Sequence, residues 1–142
     1  FKFMPMKTIK TILLLFLMHC SALTAQQLSD FKWENRVLIL SNSPTHTNVF
    51  KNALQVIKDS SKEIEQRDLI VLIYKEDNLY NLEDKEIFFK NTNNTIKHLS
   101  GFLLIGKDGG IKSKQPYPLQ LEEIFELVDS MPMRKAEMKS TN

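Results

Sequence analysis

Ser43, Pro44, Thr45 and His46 come nearest to a chemical constellation in this 142-residue chain. A hydroxyl next to an imidazole pairs a nucleophile with a base, the start of acyl-transfer chemistry. That chemistry also needs a third group to orient the imidazole and donors for the oxyanion. The sequence around His46 has no glycine-flanked strand-turn-helix elbow and no obvious orienting acid. The expected reading is therefore that Ser43 and Pro44 shape a turn while His46 faces solvent. A hydrolase using Ser43 or Thr45 with His46 is the alternative. Ser100 is expected to come near the same turn across the carboxyl edge of a sheet, where ligands of open α/β sheets bind.

Other chemistry is poorly provided for. The one cysteine is Cys20, and beyond residue 25 the histidines are His46 and His98, without metal-ligand spacing. No metal and no cofactor are expected. Lys107, Lys112 and Lys114 surround "GKDGG", yet a phosphate-cradling loop runs into a helix start and this one runs into a strand. The expectation is a hairpin turn with solvated lysines. In "MPMRKAEMK", Arg134 could fork onto a carboxylate, either Glu137 or an acid in the body of the domain. Conformable methionines suit either sealing a core edge, which is expected, or meeting a partner.

These side chains must be positioned by regular elements. "VLIL" (37–40) and the apolar run Leu69 to Tyr74 read as strands covered on both faces. Between them, Phe50, Ala53, Leu54 and Ile57 repeat at helical spacing, with Thr47 or Asn48 as the cap. Strand, helix and strand make a parallel βαβ unit. Residues 75–100 give a poor pattern: "NLEDKEIFFKN" reads as a short helix or an irregular loop, with a turn of helix near Ile96. "GFLLIGKDGGIKSK" reads as a hairpin with positive φ at both turn centres. Leu121, Ile124, Phe125 and Val128 stripe a last helix, with Pro118 in its first turn and Pro132 beyond its end. Leu28, Phe31 and Trp33 lead in along the domain edge. The fold expected is a single α/β domain, a βαβ unit followed by ββα, with helices on both sheet faces.

Residues 1–25 are read as a secretory signal peptide: Lys7 and Lys10, an apolar run from Ile12 to Met18, then small residues. Cleavage is expected after Ala25, with Ala22 as second choice. The run is too short to span a bilayer, which takes roughly 20 apolar residues, so no stable membrane insertion is expected. Removal would take away Lys2, Lys7, Lys10 and Cys20, turning the formal charge from +2 to −1. The basic isoelectric point then carries no case for nucleic-acid binding. Residues 26–142 would form one cysteine-free domain, exported to the periplasm or secreted outside the cell. At that length packing alone buries roughly 65% of the unfolded chain's surface.

Several stretches resemble the P-DUDES domain, also known as domain of unknown function 4174. They are Phe31, Trp33 and Arg36; "RDL" at Arg67 to Leu69; "LIGKDGGIK" from Leu104 to Lys112; and "DSMPMRKAEM" from Asp129 to Met138. That family occurs alone in exported bacterial proteins and within animal matrix proteins. The resemblance implies a thioredoxin-like fold related to peroxiredoxins, and supplies no catalytic residue. In thioredoxin-like redox proteins a reactive cysteine stands at about the turn 42–46, and a cis-proline precedes the third strand. Here the first place holds no thiol, and the second aligns with Ser100. Thiol chemistry needs a thiolate that serine and threonine cannot replace. The function expected is non-catalytic binding of a protein, glycan or small ligand, at Ser43, Pro44, Thr45, His46 and Ser100, then Lys107 and Arg134. Besides the hydrolase, a thiol-independent remnant of a peroxiredoxin-like enzyme is an alternative.

Overall fold

The computed structural model describes residues 2–18, 25–90 and 94–141. Cys20 and Ala22 lie outside the described residues, as do 91–93 of the poorly patterned stretch. Helix α1 (Met6–Met18) covers the apolar run near the start. Among the described residues no helix is long and apolar enough to cross a membrane.

Strand β1 (Arg36–Ser41) is buried along its whole length. It has a neighbour on each side: β2 (Leu69–Lys75) runs parallel to it, and β5 (Phe102–Ile105) antiparallel. Two sheet neighbours and two covered faces are why its sequence is continuously apolar instead of alternating. Between β1 and β2 come a 3-10 turn (Pro44–His46), α2 (Thr47–Asp59) and α3 (Ser61–Gln66). Phe50, Ala53 and Ile57 of α2 are buried, the helical face expected from their spacing. The expected cap at Thr47 or Asn48 is not formed. The 3-10 turn carries the chain directly into α2, and no side chain caps the helix start.

The segment after β2 corrects the reading of residues 75–100. It contains two short strands, β3 (Asn78–Tyr80) and β4 (Glu86–Ile87), not a helix or a structureless loop. Glu76 and Asp77, at φ +50° and +64°, form a two-residue hairpin turn between Lys75 and Asn78, which pair. Asn81 Oδ1 then accepts the backbone N–H groups of Glu83 and Lys85, at 3.0 and 2.9 Å, to turn the chain again. Strands of three and two residues are too short for a period of two to show in sequence.

With β6 (Ile111–Gln115) the sheet has six strands in the order β4-β3-β2-β1-β5-β6. The β5–β6 hairpin forms as expected, with one correction to its turn. Gly109 alone of the two expected centres has positive φ, at +80°. The Gly106 N–H donates to Gly110 O at 2.8 Å, enclosing a loop from Lys107 to Gly109. The register slips between Leu104 and Ile105, just before Gly106. Replacing Gly109 by valine is expected to cost about 1–3 kcal/mol, because a β-branched residue resists that φ. The nearest atoms a Cβ would meet are those of the flexible Lys32 side chain, from 3.6 Å outward, so the loss tests chiefly backbone conformation. An unchanged thermal midpoint would contradict the turn.

Alternate residues of β1 feed two cores. Leu38 and Leu40 pack with α2, α3 and α4 (Leu121–Asp129), through Phe50, Ile64, Leu121, Ile124 and Val128. Val37 and Ile39 pack on the other face with Phe31, Leu79, Ile87 and Leu99. This second face is covered by a 3-10 turn (Leu28–Phe31) and by residues 87–99, among the described residues, so helices lie on one face and not on both. Trp33 corrects the lead-in: it is 61% exposed, and its ring faces the Lys32 ammonium at 5.5 Å. Pro118 precedes α4 without entering it. The methionine-rich end forms α5 (Pro132–Ser140), none of whose residues is buried. Met131 ahead of it packs on the first core while Met133 is exposed, so the expected seal is only partial.

Candidate functional site

Where β1 ends, Ser43 stays extended and Pro44 begins the 3-10 turn. That turn folds three side chains onto one another. Ser43 Oγ lies 2.9 Å from His46 Nδ1 and 3.0 Å from Thr45 Oγ1, and Thr45 Oγ1 lies 3.1 Å from the same nitrogen. His46 is therefore tied by two hydroxyls, not turned loosely into solvent as expected. Its ring also faces Tyr117 at 6.0 Å between centroids.

Tyr117 braces this corner. Its hydroxyl donates to Ser41 O at 2.7 Å, and burial pushes its pKa up to about 12, although the Ser41 contacts act the other way. Ser41 Oγ in turn accepts the Gly101 N–H at 2.8 Å. Beyond Ser43 opens a cleft of about 710 Å³, with Ser43, Pro44 and Thr47 on one side and Tyr74, Asp77 and His98 on the other. Tyr74 donates to Asp77 Oδ1 at 2.8 Å and accepts the His98 N–H at 3.3 Å. Burial, reinforced by the Asp77 hydrogen bond, raises the Tyr74 pKa. Ser43 and Pro44 line the cleft, and Thr45 and His46 join it through Ser43. Ser100 does not line it: the adjoining His98 and Leu99 do. Tyr74, Asp77 and His98 were missed in sequence; a tyrosine closing an otherwise aliphatic strand was the available sign.

Lys107 and Arg134 lie at the other end. β1 rises about 3.3 Å per residue, which puts Arg36 some 17 Å from Ser41. There Lys107, 9% exposed, is not the solvated lysine expected: its Nζ donates to Glu137 Oε1 at 2.6 Å and Asp68 Oδ2 at 2.9 Å. Arg36, 1% exposed, forks onto both Glu137 oxygens at 3.2 Å and donates to Arg67 O at 2.9 Å. Arg67 forks onto Asp129 at 3.1 and 2.9 Å and stacks on Phe125, 4.2 Å from its ring centroid. Arg134 Nε reaches Asp129 at 3.1 Å, and its Nη1 lies 2.9 Å from Gln66 O and 3.9 Å from Glu137. Both acids considered for Arg134 are thus present. Lys112 and Lys114 stay at the surface.

Burial opposes the charged form of Glu137, but hydrogen bonds from Lys107 and Arg36 outweigh it and hold the carboxyl below 4.5. Asp129 lies below 3.8 for the corresponding reason, with Arg67 and Arg134 overcoming burial. Lys107 is held above 10.5 because Asp68 and Glu137 overcome its desolvation. The two carboxylates contribute stability above their unfolded pKa values, and this is lost as pH falls through the lower native ones. Lys107 contributes below 10.5, a contribution lost as pH rises through its raised value. The thermal midpoint is therefore expected to fall on acidification below about pH 4.5, and less steeply in Glu137→Gln. Identical acid limbs for the two proteins would contradict the pairing.

Among the described residues no three His, Cys, Asp or Glu side chains come together to hold a metal. No curated protein sequence matches the chain. Its backbone is similar to solved structures that include two peroxiredoxins. One is the mitochondrial 2-Cys peroxiredoxin from Plasmodium falciparum, at 16% identity and TM-score 0.50, covering 72% of this chain and 79% of that one. The other is the reduced 2-Cys peroxiredoxin of Plasmodium vivax, at 12% identity and TM-score 0.53, covering 77% and 72%. Similarity at that identity speaks to fold alone: a thioredoxin-like sheet of the peroxiredoxin kind. The family described as domain of unknown function (DUF4174) matches residues 27–137. With that match running from residue 27 through the charge cluster to Glu137, the chain belongs to the DUF4174 family.

Proposed function

We propose that this is an exported, non-redox thioredoxin-like domain that binds a protein, glycan or small ligand in the cleft beyond β1 and β2. The observation that carries this reading is the hydroxyl–imidazole cluster of Ser43, Thr45 and His46 in the turn after β1. Peroxide and disulfide chemistry both need a thiolate, and residues 21–142 contain no cysteine. The cleft lies outside the carboxyl ends of two parallel strands, the usual ligand position in such sheets, and gathers convergent polar groups.

Native mass spectrometry of protein purified from its own host tests this. A co-purifying species is expected on the wild type and on Ser100→Ala, and is expected to be lost from Ser43→Ala and His46→Ala. These variants of half-buried turn residues should lose no more than about 1 kcal/mol each. Equal retention by all four proteins, or peroxide turnover by protein beginning at Gln26, would overturn the proposal. Export belongs to the same reading: the secreted protein is expected to begin at Gln26, and a secreted form retaining residues 1–25 would refute the leader.

A second reading, acyl transfer by Ser43, draws on its 2.9 Å contact with His46 Nδ1. It lacks an orienting carboxylate: among the described residues none hydrogen-bonds His46. Hydrolysis of p-nitrophenyl acetate that disappears in Ser43→Ala would favour it; equal rates would remove it.

A further inference from the structure

The cluster around Arg36 has an unusual balance. Arg36, Arg67, Lys107 and Arg134 meet the three acids Asp68, Asp129 and Glu137, leaving one positive charge in excess. Arg36 is almost wholly buried, and its Nε has no hydrogen-bond partner. Two cations from the sheet, Arg36 at the start of β1 and Lys107 after β5, converge on a single carboxylate. That carboxylate is Glu137 of α5, a helix with no buried residue of its own. Apart from Glu137, the side-chain polar contacts of α5 with the rest of the chain are those of Arg134 to Asp129 and Gln66, among the described residues. The receiving groups are therefore anchored at the start of β1 and in the β5–β6 turn, and the group they hold arrives on a weakly buried helix.

We propose that Arg36 and Lys107 form a carboxylate-binding site which Glu137 fills from within the chain, so that α5 acts as a displaceable strap over it. The fork of a guanidinium matches the two oxygens of a carboxylate, and the lysine adds a point charge on one of them. The class of ligand is a carboxylate, whether from a small acid or from a glutamate in a peptide segment.

The test is chemical rescue in the full chain. Glu137→Ala empties the place of the carboxylate and lowers the thermal midpoint. Acetate is expected to raise it by about 5 °C at roughly ten times its Kd and to go on raising it with the logarithm of concentration, as a ligand that binds only the native state does. Acetamide and chloride at equal concentration should not, and the wild type should move by less than about 1 °C. The rescue should vanish in Glu137→Ala/Lys107→Met, where half the receptacle is missing. Two peptides separate the sources: PMRKAEMKS and its version with Gln for Glu. Rescue by the first alone extends the ligand to peptide glutamates, while rescue by acetate without either peptide confines it to small acids. A folded variant that ignores acetate, or that acetamide rescues equally, overturns the site. So does rescue persisting in the double variant. Should Glu137→Ala not fold unaided, its recovery as folded protein in acetate but not in acetamide supports the site, and recovery in both or in neither overturns it.

Discussion

Replacing Glu137 by alanine is expected to cost about 3 kcal/mol, at the low end for a broken buried ion pair because Glu137 keeps 26% of its side-chain surface exposed. For a domain of about this size that is a fall of roughly 15 °C in thermal midpoint. The loss would come less from the missing attraction than from what stays behind. Arg36 would be left with the Arg67 carbonyl alone, and Lys107 with Asp68, itself half exposed. A buried charge without its counter-ion is among the few ways a single substitution costs this much. Lys112→Ala is the matched control: its pair with Asp108 is at the surface, and its removal should change stability by less than about 0.5 kcal/mol. Adding Lys107→Met to Glu137→Ala should recover part of the loss, since it removes a buried cation left with only the half-exposed Asp68. Thermal unfolding of the four proteins decides the matter, and a Glu137→Ala midpoint within two or so degrees of wild type would contradict the cluster's role.

Gly101→Ala is expected to cost about 2–6 kcal/mol, from two additive sources. Its φ of +126° is a conformation L side chains rarely adopt, worth about 1–3 kcal/mol. A Cβ there would also run into the Gln115 carbonyl oxygen and come within 2.8 Å of Pro116 Cα, both backbone atoms that cannot swing aside. Forcing them apart adds about 1–3 kcal/mol. The strain would fall on the corner behind the cleft, because Gly101 donates to Ser41 Oγ and accepts the Ser41 N–H at 2.9 Å. Gly110→Ala supplies the comparison. Its nearest neighbours are side-chain atoms of Asp108 and Lys112, from 3.2 Å outward, and they can yield. Chemical denaturation should separate the two glycine variants clearly; equal stabilities would refute the close approach.

The two readings of a single residue, Lys107, show where sequence stops being informative. In sequence it stands in a Gly-rich hairpin turn, where lysines are ordinarily solvated. Its two partners, Asp68 and Glu137, lie 39 and 30 residues away. No local spacing announces such a contact. The family resemblance pointed nearer: Arg36, Arg67, Asp68, Lys107, Asp129, Arg134 and Glu137 all fall within the stretches that carried it, though nothing in those stretches says that they meet.

The sequence by itself determined the elements whose apolar residues repeat over a full turn or strand. These are β1, β2, α2, the β5–β6 hairpin and α4, and with them the βαβ-then-ββα order. It also determined the absence of a thiol beyond Cys20. Burial is a demand on residue type, so elements long enough to bury a face print their period on the chain. Tertiary structure alone decided the rest. It placed β3 and β4, put helices on only one face, brought Tyr74 and His98 opposite Ser43, and seated Glu137 between Arg36 and Lys107. Each of these depends on chain segments far apart in sequence being folded together, and a polar side chain carries no mark of the distant group it will meet.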